Sequence, residues 1–244
     1  MNPIGIIFIV LVIIILFYYL IMLFSTKNLL NMTNGQSQTI INYTDLNGGG
    51  VSANFAYSIW FYINDWNYRF GDPKVIFTRS ATDISSSTSS SISSSSISTI
   101  GPCPLVMLGQ TENTIQVYLK CTGVTIPSVC NVDNIPIQKW VNLVISVFGK
   151  TMDLYIDGKL VRTCLLGGIP DVESVSKSNV VVTPSGGFDG WTSKLEYFAN
   201  SLNPQEAWNV YSSGYGGDLL SNLKSYQIQF SLLENGQTQS TYTI

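Results

Sequence analysis

The sequence of 244 residues contains no histidine, and only 11% of its residues are charged. Soluble domains carry about 25% charged residues, so charge is scarce here by a wide margin. Without histidine the chain lacks the commonest general base and a favoured zinc ligand, and no Ser-His or Cys-His pair can form within it. The 12 Lys and Arg residues are outnumbered by 15 Asp and Glu, for a net charge of −3. That balance excludes the basic face by which nucleic-acid binders neutralise phosphates. Glutamate is also sparse and scattered, at Glu112, Glu173, Glu196, Glu206 and Glu234. A glycosidase needs two carboxylates about 5–9 Å apart across the scissile bond. No strand pattern here alternates acidic residues into one groove, so the chain reads as non-enzymatic.

What is abundant is apolar and aromatic: 45% hydrophobic residues, with 13 Tyr, 11 Phe and 5 Trp. Part of that total is one uninterrupted run, residues 4–24 (IGIIFIVLVIIILFYYLIMLF). Twenty-one residues at 1.5 Å per residue span roughly 30 Å, the hydrocarbon thickness of a bilayer. In lipid the backbone must satisfy its own hydrogen bonds, which makes the run a helix. It has no basic n-region and no small-residue cleavage site, so an uncleaved anchor over residues 1–25 is expected, with the lipid bilayer as partner and a single-pass location. Lys27 favours a cytoplasmic bulk, whereas the sequons Asn31-Met-Thr33 and Asn42-Tyr-Thr44 favour the opposite side.

Residues 26–50 are polar and end in Gly48-Gly49-Gly50, the composition of a flexible stalk. From Val51 the pattern is of strands. Residues 56–63 (AYSIWFYI) are aromatic and β-branched, and residues 115–119 and 143–147 alternate. Asp157-Gly158 separates LYI from KLV and supplies the two positive φ angles of a type I′ hairpin turn. Asn235-Gly236 does the same within a C-terminal hairpin over 218–244, whose strand alternates Tyr226, Ile228, Phe230 and Leu232. Asn203, Pro204 and Glu206 form an N-cap, N1 and N3 set for a short helix near 204–213. Residues 83–98 hold eleven serines and read as an inserted loop. Short strands, frequent turns and one minor helix define an all-β, antiparallel two-sheet jelly-roll sandwich.

Three segments carry a family resemblance: Tyr57-Ser-Ile-Trp60-Phe-Tyr-Ile63; Trp140-Val-Asn-Leu-Val-Ile-Ser-Val with Met152-Asp-Leu-Tyr-Ile-Asp157-Gly158-Lys-Leu-Val; and Gly187-Phe-Asp-Gly190-Trp with Leu202-Asn-Pro-Gln-Glu-Ala-Trp208 and Tyr211-Ser-Ser-Gly214. In order and spacing they resemble the concanavalin A-like lectin/glucanase superfamily in its laminin-G-like form, over about residues 51–217. The resemblance implies two curved sheets face to face, with Trp60 and Trp140 as core anchors. The N-terminal span, Cys103-Pro104, Val161-Arg-Thr-Cys164, Trp191-Thr-Ser-Lys and the Glu234-Asn-Gly hairpin widen it. Together they are similar to membrane-anchored jelly-roll proteins of large nucleocytoplasmic DNA viruses. That wider likeness implies a structural or interaction component of a virion, with capsid proteins as partners, in a virion or host membrane. The alternative is a surface lectin for host glycans.

Laminin-G-like domains often hold calcium in rim loops, and Asp65, Asp72 and Asp189 are the candidate ligands; a hard cation needs six or more oxygens, and no other cofactor is implied. In the same loop Trp66, Tyr68 and Phe70 are candidates for stacking on a sugar, although aromatics at a strand end also pack inward. Cys103, Cys121, Cys130 and Cys164 allow three pairings; at least one disulfide is expected, and their spacing disfavours zinc.

Overall fold

The computed structural model describes residues 28–82, 94–216, 229–234 and 237–243, together with Val12, Ile13, Ile15 and Leu16. Those last four are helical, and their side chains are exposed; the remainder of the 4–24 span lies outside the described residues. Among the described residues no helix is long and apolar enough to cross a membrane.

Strands are numbered in chain order. A front sheet of six strands runs β1 (Thr33–Asn34), β12 (Asp189–Phe198), β3 (Phe55–Asp65), β8 (Trp140–Phe148), β9 (Thr151–Ile156) and β10 (Lys159–Leu165). The back sheet runs β2 (Thr39–Ile41), β11 (Val180–Val182), β4 (Lys74–Ser80), β5 (Pro102–Leu108), β6 (Thr114–Leu119) and β7 (Ser128–Asp133). Every pairing within them is antiparallel. The two-residue period of a strand divides β3 and β8 cleanly. Phe55, Tyr57, Ile59, Phe61 and Ile63 meet Val141, Leu143, Ile145 and Val147 in the core between the sheets. Ser58, Trp60 and Tyr62, with Trp140, Asn142 and Val144, take the opposite, outer face.

Trp60 and Trp140, expected as core anchors, therefore lie outside the inter-sheet core. Trp60 is nevertheless buried, stacked on Tyr211 with centroids 5.5 Å apart. Its cover is the segment after β12, where Pro204–Ser212 forms the expected helix. Asn203 Oδ1 accepts from the Glu206 N–H at 3.0 Å, and Glu206 Oε2 accepts from the Asn203 N–H at 2.8 Å. This reciprocal cap satisfies two donors that a helix start leaves open. Ala207 and Val210 then pack on Val144 and Tyr155. The β9–β10 turn has φ of 49° at Asp157 and 73° at Gly158, as the type I′ reading requires. Gly158 is needed for space as well, since a Cβ there would stand 3.0 Å from Trp208 and 3.1 Å from Tyr211.

Two expectations are corrected. The polar segment read as a stalk enters the sandwich from Asn28 onward: β1 pairs with β12, β2 pairs with β11, and Leu30, Ile41 and Leu46 join the core. Strand pairing and these apolar residues, with half-buried Leu29 packed beside them, hold a segment whose composition is otherwise that of a linker. The Ser-rich stretch likewise ends in a helix, Ser94–Ile100, where Ile97 packs on Val75, Leu105 and Met107 over the back sheet. Residues 83–93 lie outside the described residues. The C-terminal hairpin is present as β13 (Gln229–Glu234) paired with β14 (Gln237–Thr243) in a sheet of its own; its turn residues are outside the described set.

Of the three pairings open to the cysteines, Cys130–Cys164 is formed, with a Cα–Cα distance of 6.0 Å. Cys130 is on β7 and Cys164 on β10, each the last strand of its sheet, so the bond staples the two sheets along one edge. Cys103 and Cys121 are free and buried, and burial pushes the Cys103 thiol up to about 12, with Arg79 opposing. The closed loop spans 34 residues, for which chain entropy gives about 3–4 kcal/mol. Cys164→Ser is accordingly expected to lower the thermal midpoint by about 10 °C in a calorimetric scan. An unchanged midpoint would mean that the core alone holds the edges together.

Candidate functional site

The 64–72 loop is largely committed to its own architecture. Asp65 Oδ1 accepts from the Asn67 backbone N–H at 2.9 Å and from its side-chain amide at 3.1 Å. Trp66 is half-buried against the core, and the Lys74 ammonium stands 4.6 Å from its ring centroid. Lys74 also donates to the Trp66 carbonyl at 3.2 Å. Burial, reinforced by the nearby Arg69 charge, holds the Lys74 ammonium below the ordinary lysine range, with Asp72 and Asp65 opposing. The Tyr68 hydroxyl donates to the Gly186 carbonyl at 3.2 Å, and Arg69 donates to the Ser185 carbonyl. The loop is thus laced to the 184–187 turn. Of the three aromatic candidates only Phe70 is open, at 58% exposure.

The acidic candidates divide in the same way. Asp72 lies 3.6 Å from Arg69 Nε. Asp189 is register partner to Asp65, but its carboxylate serves other groups: Gln36 donates to Oδ1 at 3.0 Å and Asn64 to Oδ2 at 2.7 Å. Among the described residues no three Asp, Glu or Cys side chains converge as a metal centre would require.

A different surface gathers recognition chemistry. At one level of the front sheet Asn34, Trp191, Tyr62 and Trp140 stand side by side on β1, β12, β3 and β8. The Trp191 and Tyr62 centroids are 5.6 Å apart, and those of Tyr62 and Trp140 are 5.9 Å apart. Tyr215 lies flat on Trp140, 4.5 Å away at 10°, and also touches Trp60 at 5.7 Å. The row continues through Tyr211 to Trp208, which meet at 5.4 Å. Tyr215 is fixed by its own backbone: Ser193 Oγ donates to its carbonyl at 2.8 Å, and Lys194 donates to the Gly214 carbonyl at 3.2 Å. Trp191, Trp208 and Tyr215 keep 40%, 44% and 39% of their surface exposed. Beside Trp191 lie the exposed Asn34, its register partner, and the amides of Gln36 and Asn64, which both donate to Asp189. Lys139, next in sequence to Trp140, pairs with Asp157 at 3.0 Å.

Apolar ring faces beside a few placed amide and carboxylate groups are the makings of a ligand site. Such a surface packs against the C–H face of a pyranose and exchanges hydrogen bonds with its hydroxyls. The sequence reading missed this row because β3 is apolar on both faces, so parity alone does not say which face is core. The signal that would have found it is the aromatic run Trp208, Tyr211, Tyr215, which needs an aromatic surface to lie upon.

The fold defines the class: an antiparallel β-sandwich of two six-stranded sheets. No family model and no curated protein matches the chain. Solved structures do. The botulinum neurotoxin serotype D ligand binding domain in complex with N-acetylneuraminic acid superposes with a TM-score of 0.54 at 16% identity, covering 77% of this chain and 45% of that one. The botulinum neurotoxin serotype D binding domain gives 0.52 at 16%, covering 75% and 41%. The binding domain of botulinum neurotoxin DC in complex with rat synaptotagmin II gives 0.51 at 17%, covering 75% and 43%. The chain therefore spans less than half of each of these neighbours, and at such identity the likeness is one of fold.

Proposed function

We propose that the protein is a non-enzymatic, membrane-tethered recognition module that binds glycans on the aromatic row of its front sheet. The observation that carries the reading is the row Trp191–Tyr62–Trp140 with its amide and carboxylate rim. The 4–24 run supplies the tether by its length and composition. The neighbours support the class of activity, since they are binding domains and one is complexed with a sugar acid. The structural role in a virus particle, expected from the sequence resemblance, has no such support.

The test is a glycan array probed with the full chain in detergent, followed by titration of the best oligosaccharide. Trp191→Ala is expected to weaken binding at least about tenfold, as loss of one aromatic contact of about 1.5 kcal/mol implies. Phe70→Ala is expected to leave affinity unchanged. Equal affinity for Trp191→Ala and the parent, or loss on Phe70→Ala, would return the site to the 64–72 loop. A blank array would remove the glycan reading.

A further inference from the structure

The first described stretch of the domain fixes how close it must stand to its anchor. The Leu29 N–H donates to the Leu195 carbonyl and the Lys194 N–H to the Leu30 carbonyl, both at 2.8 Å. Leu30 is 4% exposed and belongs to the core. The sandwich is thus fully engaged five residues after Phe24, the end of the apolar run. Between Phe24 and Asn28 lie only Ser25, Thr26 and Lys27, a reach of about 14 Å at full extension.

The direction of approach is equally defined. β1 runs antiparallel to β12 with Thr33 opposite Thr192, so moving back from Thr33 to Asn28 leads toward the C-terminal end of β12. At that end Phe198 pairs with Ala56, and Phe55 pairs with Val147. The β8–β9 turn therefore projects there. Its tip carries Phe148 at 65% exposure, with Lys150 exposed beside it. The turn is rigidly placed, since the Gly149 N–H donates to Asn54 Oδ1 at 2.9 Å and the Leu166 N–H to the Lys150 carbonyl at 2.8 Å. Leu165, opposite Thr151, is 80% exposed. A bare phenylalanine and leucine around a lysine is unfavourable in water but suits the headgroup boundary, where apolar groups enter the acyl region and the ammonium meets lipid phosphate.

We infer that the Phe148–Lys150 turn, with Leu165, rests in the headgroup layer of the membrane that holds the 4–24 span; the inference rests on that span. The sandwich then stands on the bilayer with no stalk. The row Trp191–Tyr62–Trp140 lies at the far end of the same sheet, with Trp140 eight residues from Phe148 along β8, about 26 Å away.

The test uses the full chain in vesicles of phosphatidylcholine and phosphatidylserine. The native thiols are buried or bonded, so an added cysteine takes a nitroxide alone. Labels at Phe148→Cys and Lys150→Cys report the turn, and Phe70→Cys reports the opposite end of the sheet. The turn labels are expected to be several-fold less accessible to a water-soluble nickel chelate than the Phe70 label, and more accessible to dissolved oxygen. A carbonate wash with flotation reports the span separately. If the chain stays with the vesicles while the turn labels match the Phe70 label, the docking is refuted and the anchor stands. If the wash releases the chain, the span and the docking both fall.

Discussion

Gly190→Ala is expected to destabilise the protein by at least about 4 kcal/mol, placing it among the rare severe substitutions. Gly190 sits in β12 at φ 152°, paired with Ile63 of β3. A Cβ there would stand 1.8 Å from the Tyr62 carbonyl oxygen, 2.9 Å from the Tyr62 carbonyl carbon and 3.1 Å from the Phe188 ring. The first two are backbone atoms, so no rotamer change relieves them. Two adjacent interior strands of the front sheet, β12 and β3, would have to part. Separation would displace Trp191 and Asp189 on either side, so binding is expected to fall with stability. Gly71→Ala is the control: its φ is 86°, but a Cβ there meets nothing within 4 Å, and the cost is about 1 kcal/mol of backbone strain. Urea midpoints of the two variants provide the comparison. Similar midpoints would show that β12 and β3 yield where the geometry says they cannot.

Arg79→Met is expected to cost about 4 kcal/mol, or roughly 10 °C in thermal midpoint. Arg79 is 1% exposed, and its guanidinium reaches three backbone carbonyls. Nε donates to Ser178 at 3.0 Å, Nη1 to Gly50 at 2.6 Å and Nη2 to Ser176 at 3.3 Å. One side chain thereby ties the turn before β3 and the loop before β11 to β4. Gly50 is part of the arrangement, since a Cβ there would stand 2.4 Å from Nη1. Methionine keeps most of the volume but leaves three acceptors without their charged donor, each worth about 1.5 kcal/mol. Arg79→Lys is expected to recover little, because an ammonium on a flexible stem lacks the planar fork that reaches all three. A midpoint for Arg79→Lys near that of the parent would show that charge alone, not the fork, holds the loops.

What was legible in the sequence was local. Asp157-Gly158 and Asn203-Pro204-Glu206 specify their turn and cap through adjacent residues, and both stand in the structure as read. Aromatic and β-branched composition in β3 and alternation in β6 and β8 gave strands and their antiparallel sandwich, because neither signal needs knowledge of partners. What failed depended on partners far along the chain. Residues 28–50 look like a tether until β12 and β11 are there to pair with. Trp66 and Tyr68 look like a sugar platform until Lys74 and Gly186 occupy them. The burial of Arg79 and Lys74 has no local signature at all, since each is held by carbonyls of distant or looped backbone. The aromatic row was hidden for the same reason: its members come from β12, β3, β8, the Pro204–Ser212 helix and the segment just after it.

The central claim, that ligand is recognised on the front-sheet row, is tested most directly by the indole N–H resonances. The chain has five tryptophans, and their signals can be assigned by single substitution in isotope-labelled protein. On titration with the oligosaccharide selected by the array, the Trp191 and Trp140 signals are predicted to shift in saturable fashion while Trp66 stays in place. Movement of Trp66 with Trp191 and Trp140 fixed would contradict the account and assign recognition to the 64–72 loop.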